Sequence, residues 1–182
     1  FMLAAVASRG DLVIKNCTTK HLECVTAKII EMGAHAEEID GDTIHVWCDE
    51  RTSKANIKTL PHPGFPTDMQ SQMGVVLSIS EGTSIINESI WESRFQYTDE
   101  LNKMGAKITA QGKTAVFEGV ESLCGAPVYA TDLRAGAALI IAGICADGVT
   151  EVFNLEHIDR GYENIEEKFR NIGANIKRVS VE

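Results

Sequence analysis

One ten-residue pattern occurs three times in this chain: VTAKIIEMGA at residues 25–34, YTDELNKMGA at 97–106 and IEEKFRNIGA at 165–174. In each copy apolar residues recur at spacings of three and four, as on the buried face of an amphipathic helix. The Gly-Ala pair that closes each copy predicts the end of that helix, because glycine readily adopts the left-handed backbone that follows one. The positions predicted to be buried are Val25, Ile29 and Met32 in the first copy, Tyr97, Leu101 and Met104 in the second, and Ile165, Phe169 and Ile172 in the third.

The residues around this pattern repeat as well. Each copy is preceded by a strand that opens on glycine and closes on asparagine. Before that strand lies a helix of small residues that is apolar nearly all round. A strand is expected after each Gly-Ala pair, with a second strand closing a hairpin in the first two copies. The preceding strands are residues 10–16, 82–87 and 148–154, the apolar helices are 1–8, 69–80 and 134–146, and further strands at 55–59 and 128–130 open copies two and three.

These elements predict one α/β domain over residues 1–182, with buried central helices wrapped by outer sheets. Its three units span approximately 1–54, 55–126 and 127–182. The first unit lacks an opening strand and the last lacks a closing one. The chain also opens in the middle of an apolar helix pattern. We therefore expect it to be part of a longer protein.

Composition narrows the class of protein. Among 182 residues, 44% are hydrophobic and 24% charged, which is ordinary for a soluble globular protein. The net charge of −9 argues against general nucleic-acid binding and gives no reason to expect an anionic membrane surface as partner. We find no signal peptide and no apolar run long enough to span a bilayer. The five cysteines suit neither a disulfide framework nor a zinc site, so we expect buried free thiols in the reducing cytoplasm.

The loop PHPGFPTDMQ at residues 61–70 holds three of the four prolines. Proline neither continues a helix nor donates to a sheet, so this is a shaped connection. Thr67 and Gln70 have the spacing of a capping box, which predicts that Asp68 lies in the first turn of the next helix. The helix dipole favours the charged form of a carboxylate there. Asp68 is thus a candidate for binding or proton transfer, although acidic residues are common in first turns.

Three strings together resemble the UDP-N-acetylglucosamine enolpyruvyl transferase family: PGFPTDMQ at 63–70, ATDLRA at 130–135 and HIDRGYE at 157–163. The resemblance covers the whole chain but only the C-terminal domain of that family. It implies an inside-out α/β barrel of three repeated units. It also implies transfer of the enolpyruvyl group of phosphoenolpyruvate to the 3-hydroxyl of UDP-N-acetylglucosamine, with release of phosphate. This is the first committed step of peptidoglycan synthesis, and the family needs no metal or organic cofactor.

The same resemblance implies roles for particular residues. Asp68 matches the aspartate that binds the sugar hydroxyl and acts as the base, and Arg160 an arginine that contacts phosphoenolpyruvate when the cleft closes. Ile90 matches a position whose backbone contacts the sugar nucleotide. The matching cleft positions with supporting roles are Asp132, Arg134 and Arg94.

The family's site lies between two domains. Its reactive cysteine, a lysine-asparagine pair and two further arginines belong to the N-terminal domain, and none of the cysteines here matches that loop. The chain would then carry half a site and be inactive alone, with the missing domain as its partner. Association with copies of itself through the uncovered face stays open.

Several alternatives also stay open. Asp132 could simply cap a helix, since a Thr-Asp pair precedes two of the buried helices. Arg94 falls at a core position of the repeat, where an arginine needs a partner, unless it is solvated at an edge. Arg160 could form a surface salt bridge with Asp159. For the whole protein, the alternatives are the sister enzyme 5-enolpyruvylshikimate 3-phosphate synthase and a non-catalytic scaffold paralogue.

Overall fold

Three buried helices form the centre of the computed structural model, which describes residues 1–179. They are α1 (Met2–Ala7), α3 (Gln70–Ile79) and α5 (Leu133–Cys145), and each packs against the other two. All six residues of α1 and nine of the ten in α3 are buried. Their small side chains let helices approach closely, so a core forms without a sheet between them. The predicted central helices are confirmed.

The strands form three sheets around these helices. β1 (Asp11–Ile14), β3 (Thr43–Trp47) and β2 (His35–Asp40) make the first, in that order and antiparallel. The second sheet has the order β4 (Asn56–Lys58), β5 (Thr83–Asn87), β7 (Thr114–Glu118) and β6 (Lys107–Gln111). The third pairs β8 (Pro127–Tyr129) in parallel with β9 (Glu151–Phe153).

Amphipathic helices cover the core from outside. They are α2 (Glu23–Glu31), α4 (Tyr97–Lys103) and α7 (Ile165–Asn171), with the short α6 (Glu156–Asp159) before α7. Their Gly-Ala ends are alike. Gly33, Gly105 and Gly173 have φ values of 92°, 89° and 101°. In all three copies the alanine N–H donates to a carbonyl five residues back, the helix-ending hydrogen bond that glycine permits. The predicted helix ends are confirmed.

The third copy departs from the prediction at its end. Residues 174–179 form no strand, so the strand expected after Gly173-Ala174 is wrong over that range, and residues 180–182 lie outside the described part of the chain. Ile172 is 48% exposed, whereas the equivalent Met32 and Met104 are 1% and 0% exposed. In the first two copies the chain returns over this position, where Ser53 and Cys124 donate to the methionine carbonyls. Nothing between residues 174 and 179 does this for Ile172.

The α/β class is therefore confirmed, while closure into an inside-out barrel and the division into units stay predictions. No helix within residues 1–179 combines the length and apolar character needed to cross a membrane. All five cysteines are free thiols. The expectation that they are buried is wrong for Cys124, which is exposed, and holds fully only for Cys48. Cys124 lies between β7 and β8, where its backbone forms an isolated bridge with Asp147 and its N–H donates to the Met104 carbonyl.

Candidate active site

The proline-rich loop places Asp68 at the surface and holds it in a fixed position. It begins at the end of β4, where the Leu60 N–H donates to the Phe65 carbonyl across a tight turn. Gly64 is required there, because a Cβ on it would collide with the Leu60 side chain. Phe65 is buried and anchors the loop in the core. A 3-10 turn, Thr67–Met69, follows and leads directly into α3.

Asp68 lies between two arginines. The Arg94 Nη2 is 2.8 Å from Asp68 Oδ1, and the Arg134 Nη2 is 2.7 Å from Asp68 Oδ2. The hydrogen bond from Arg134, followed by that from Arg94, lowers the pKa of Asp68, although partial burial opposes them. The Asp68 side chain remains 52% exposed. An ionised, solvent-facing carboxylate therefore sits at the N-terminal end of α3, held from both sides.

The predicted capping box is wrong. The 3-10 turn before α3 turns Thr67 away from the helix, and its hydroxyl donates to Glu88 at 2.9 Å. Gln70 is fully buried, and neither atom of its amide has a hydrogen-bond partner among the described residues. Asp68 consequently lies just before α3 rather than in its first turn. Its position depends on tertiary contacts that local spacing cannot reveal.

Arg94 and Arg134 reach Asp68 from different parts of the chain. Arg94 lies in the turn before α4, with its side chain 23% exposed and its guanidinium 5.9 Å from the centre of the Trp91 ring. Arg134 lies in the first turn of α5, and the hydrogen bond with Asp68 raises its pKa. The prediction that Arg94 needs a partner is confirmed by this ion pair. The three side chains therefore meet although Asp68 and Arg134 are 66 residues apart in the sequence.

Asp132 caps a helix. Its backbone is extended, with φ of −161°, and its Oδ1 accepts the N–H groups of Arg134 and Ala135 at 2.7 and 3.0 Å. This is the capping alternative left open by the sequence. The same contact fixes the backbone of Arg134, whose side chain holds Asp68. A direct contact between Asp132 and a substrate stays a prediction.

Arg160 and Ile90 lie on the surface, and within residues 1–179 neither forms a hydrogen bond or ion pair with this cluster. Arg160 is exposed, and its guanidinium has no hydrogen bond or ion pair within residues 1–179. The alternative salt bridge with Asp159 is wrong, because Arg178 binds both oxygens of Asp159, at 2.7 and 2.9 Å. Ile90 is 39% exposed, and its N–H is already donated to Glu88. The predicted substrate contacts of both residues stay predictions.

Sequence reasoning missed Glu88. This residue directly follows β5, is only 1% exposed, and accepts hydrogen bonds from the loop before Asp68 and from the turn that contains Ile90. The available signal was a lone acidic residue at the end of an apolar strand, which is too common to single out. Glu88 is nonetheless the buried hydrogen-bonding centre beneath the candidate site.

The arrangement suits anionic and hydroxyl ligands. One ionised carboxylate can accept a proton or a hydroxyl hydrogen bond, and guanidinium groups bind carboxylate and phosphate oxygens in pairs. No cluster of three or more histidine, cysteine, aspartate or glutamate side chains in the described region is arranged to hold a metal ion. The expectation of a metal-free, cofactor-free site stays a prediction.

Comparison with known proteins identifies a family. Residues 1–169 match the family described as EPSP synthase (3-phosphoshikimate 1-carboxyvinyltransferase). A Clostridium botulinum protein named UDP-N-acetylglucosamine 1-carboxyvinyltransferase is 55% identical over 98% of this chain, which spans 43% of that relative. A Desulfofundulus thermocisternus protein of the same name is 53% identical, and the chain spans 73% of it.

Solved structures share the fold. The enolpyruvyl transferase NikO from Streptomyces tendae superposes with a TM-score of 0.86 at 24% identity, over 97% of this chain and 42% of that one. EPSP synthase from Acinetobacter baumannii gives a TM-score of 0.75 at 18% identity, over 98% of this chain and 45% of that one. Both likenesses concern the fold alone. The chain spans less than half the length of most of the relatives it matches.

Proposed function

This chain belongs to the EPSP synthase (3-phosphoshikimate 1-carboxyvinyltransferase) family, and we propose that it is the C-terminal part of a UDP-N-acetylglucosamine enolpyruvyl transferase. The observation that carries the proposal is the Asp68 carboxylate held between Arg94 and Arg134. The choice of sugar nucleotide rests on relatives that share 47–55% of its residues and carry that activity in their names.

The reaction adds the 3-hydroxyl of the sugar to the central carbon of phosphoenolpyruvate. The hydroxyl must lose its proton as the carbon–oxygen bond forms, and Asp68 is the acceptor we assign. The methylene carbon gains a proton from an acid outside this chain. It then gives up a proton as the bond to phosphate breaks, which restores the double bond and leaves the enolpyruvyl ether.

The two arginines shape how Asp68 acts. Because they lower its pKa, the carboxylate is ionised at neutral pH and ready to accept a hydrogen bond from the sugar. The same contacts make it a weak base. Its basicity would rise if anionic groups of phosphoenolpyruvate drew either guanidinium away, so proton transfer would be favoured only when both substrates are bound.

The remaining parts of the proposal come from the family. Arg160 contributes to phosphoenolpyruvate binding, the backbone of Ile90 contacts the sugar nucleotide, and the other half of the site belongs to an N-terminal domain. The chain by itself would then be inactive. The reaction would be the first committed step of peptidoglycan synthesis in a bacterial cytoplasm.

Phosphate release from phosphoenolpyruvate tests this function. We would compare the 182-residue chain with a chimera in which it replaces the matching region of the Clostridium botulinum relative. We expect no release from the chain alone, and release from the chimera that depends on UDP-N-acetylglucosamine. Release only with shikimate 3-phosphate would reassign the chain to the sister enzyme. A folded chimera that is silent with both acceptors would support a non-catalytic scaffold.

Replacing Arg160 separates the two substrates. We expect Arg160→Ala in the chimera to raise the KM for phosphoenolpyruvate at least tenfold and the KM for the sugar nucleotide much less, because the exposed guanidinium has no ion-pair partner within residues 1–179 and suits a phosphate. Arg170→Ala serves as the control, because Arg170 is also exposed but lies on α7, whereas Arg160 follows α6. Equal increases in both KM values would contradict the assignment of Arg160.

A further inference from the structure

We propose that Glu88 is a positioning residue whose buried carboxylate fixes the Ile90–Trp91 turn relative to Asp68, and thereby the place where the sugar nucleotide binds. The naming of that substrate rests on the proposed function. The hydrogen-bonded arrangement around Glu88 does not, so the two can be tested separately.

One carboxylate oxygen organises the turn. Glu88 Oε1 accepts the N–H of Ile90 at 2.8 Å and that of Trp91 at 3.1 Å. It also accepts the hydroxyl of Thr59 at 2.7 Å, which ties the turn to the end of β4. Ser89 adds to this anchor, because its N–H donates to the same Thr59 hydroxyl oxygen at 2.9 Å.

The other oxygen reaches the proline-rich loop. Glu88 Oε2 accepts the hydroxyl of Thr67 at 2.9 Å, and Thr67 directly precedes Asp68. Asp68 in turn binds Arg94, which packs over Trp91 in the same turn. These contacts close a ring that runs from Glu88 through Asp68 and back to Trp91. A carboxylate with two acceptor oxygens is suited to joining two segments in this way.

Because Glu88 is buried, its carboxylate depends on these hydrogen bonds. The residue is 1% exposed, and no ion pair within residues 1–179 includes it. A buried charge without a counter-ion is costly unless hydrogen bonds replace its water. Two hydroxyl and two amide donors do so here. Each of these donors belongs to a segment next to the candidate site.

The consequence for the turn is a defined outward surface. Its two N–H groups are taken up by Glu88, so the Ile90 carbonyl and the side chains of Ile90 and Trp91, which are 39% and 58% exposed, remain for a ligand. Without the carboxylate, two amides and two hydroxyls lose their acceptor, and the turn is free to move relative to Asp68.

Kinetics of Glu88 variants in the chimera test this role. Hydrogen bonds to a charged group are strong enough that losing them should raise the KM for UDP-N-acetylglucosamine by about tenfold in Glu88→Ala. The KM for phosphoenolpyruvate should change much less. Glu88→Gln should stay within about threefold of the unmodified chimera, because its amide oxygen can accept the two N–H groups while its NH₂ donates to Thr67.

Glu100→Ala is the matched control. Glu100 is also buried, at 9% exposure, and accepts hydrogen bonds from Lys103 and the Tyr129 N–H, away from Asp68. It should lower stability without a selective effect on the sugar-nucleotide KM. If Glu100→Ala reproduces the Glu88→Ala pattern, or if Glu88→Gln is as impaired as Glu88→Ala, the positioning role is overturned.

Trp91 provides a readout that does not depend on activity. The 182-residue chain has two tryptophans, so Trp47→Phe leaves Trp91 as its single tryptophan, which can be excited selectively above the absorption of tyrosine. Time-resolved anisotropy should show a larger fast component for Trp91 in Glu88→Ala than in the parent, and the parent behaviour in Glu88→Gln. Unchanged anisotropy in Glu88→Ala would overturn the proposal. A chimera inactive with UDP-N-acetylglucosamine would overturn the proposed function while leaving this measurement decisive for Glu88.

Discussion

The same Thr-Asp pair precedes α3 and α5, yet one aspartate contacts backbone amides and the other contacts side chains. Asp132 has an extended backbone and turns its carboxylate onto the amides of α5. Asp68 sits in a 3-10 turn, makes no cap, and binds two arginine side chains. The same residue pair caps the helix at α5 and presents an ionised group to solvent at α3. The backbone before the helix decides which.

The two starts are also connected through Arg134. Its N–H donates to Asp132 at 2.7 Å, and its Nη2 donates to Asp68 at 2.7 Å. The cap of α5 therefore fixes the residue that holds Asp68. One copy of the motif thus caps its own helix and positions the arginine that binds the aspartate of the other copy.

Arg134→Ala should separate the capping of α5 from the binding of Asp68 most strongly. In the chimera it removes one guanidinium from Asp68, and we expect kcat/KM to fall at least tenfold, since such charged donors commonly contribute that much. The N–H that donates to Asp132 belongs to the backbone of residue 134, so the substitution keeps it. The free energy of unfolding should therefore fall by less than about 1 kcal/mol, as for other partly exposed ion pairs. Urea denaturation and steady-state kinetics measure both. A large loss of stability with little loss of activity would reverse the comparison.

The helix cap formed by Asp132 predicts a different pattern of stability changes when this residue is replaced. Asp132→Ala should lower the free energy of unfolding by about 1 kcal/mol, and Asp132→Asn by much less, because asparagine is an equally good cap. For a domain of this length, 1 kcal/mol corresponds to a fall in Tm of about 2–4 °C. Thermal unfolding of the 182-residue chain measures the difference. Equal destabilisation by alanine and asparagine would show that capping is not what Asp132 contributes.

The arginines should differ in their influence on Asp68. The hydrogen bond from Arg134 is the largest cause of its lowered pKa, ahead of that from Arg94. We therefore expect the pKa of Asp68 to rise in both Arg134→Ala and Arg94→Ala, and to rise further in the first. Titration of the carboxyl carbon by NMR gives these values. A larger rise in Arg94→Ala would reverse the ranking of the two contacts.

Asp68→Asn should have only a small effect on stability. A lowered pKa in the folded state means that the stabilising contribution is complete above the unfolded-state pKa of about 3.9, and is lost as pH falls through the folded-state value. Because the side chain is 52% exposed, we expect less than about 1 kcal/mol at pH 7. The difference between the unmodified chain and Asp68→Asn should be constant from about pH 7 to 5 and shrink below about pH 4. A difference that grows on acidification would contradict the ion pairs.

The repeated helices were predictable because burial follows a local period. Val25, Tyr97 and Ile165 are buried as their spacing indicated, with 1%, 1% and 6% exposure. Ile172 fits the same period but is exposed, since its burial depends on chain that would return over it. Periodicity reports which face of a helix is apolar. It does not report whether anything covers that face.

The site was only partly predictable. The family resemblance named Asp68, Arg94 and Arg134, and the structure brings these together. It could not reveal that the Thr67 hydroxyl donates to Glu88 instead of capping a helix, because that contact joins residues 21 positions apart. Glu88 was missed for the same reason. Its hydrogen bonds come from segments that only the folded chain brings together.

The most direct test compares Asp68→Asn with Asp132→Asn in the chimera, by phosphate release in the presence of UDP-N-acetylglucosamine. Both substitutions remove one charge and preserve shape. The account predicts that Asp68→Asn lowers turnover by at least about a hundredfold, as expected for loss of a general base, whereas Asp132→Asn remains at least tenfold more active than Asp68→Asn. Equal activities for the two variants would contradict the division of roles between the two helix starts.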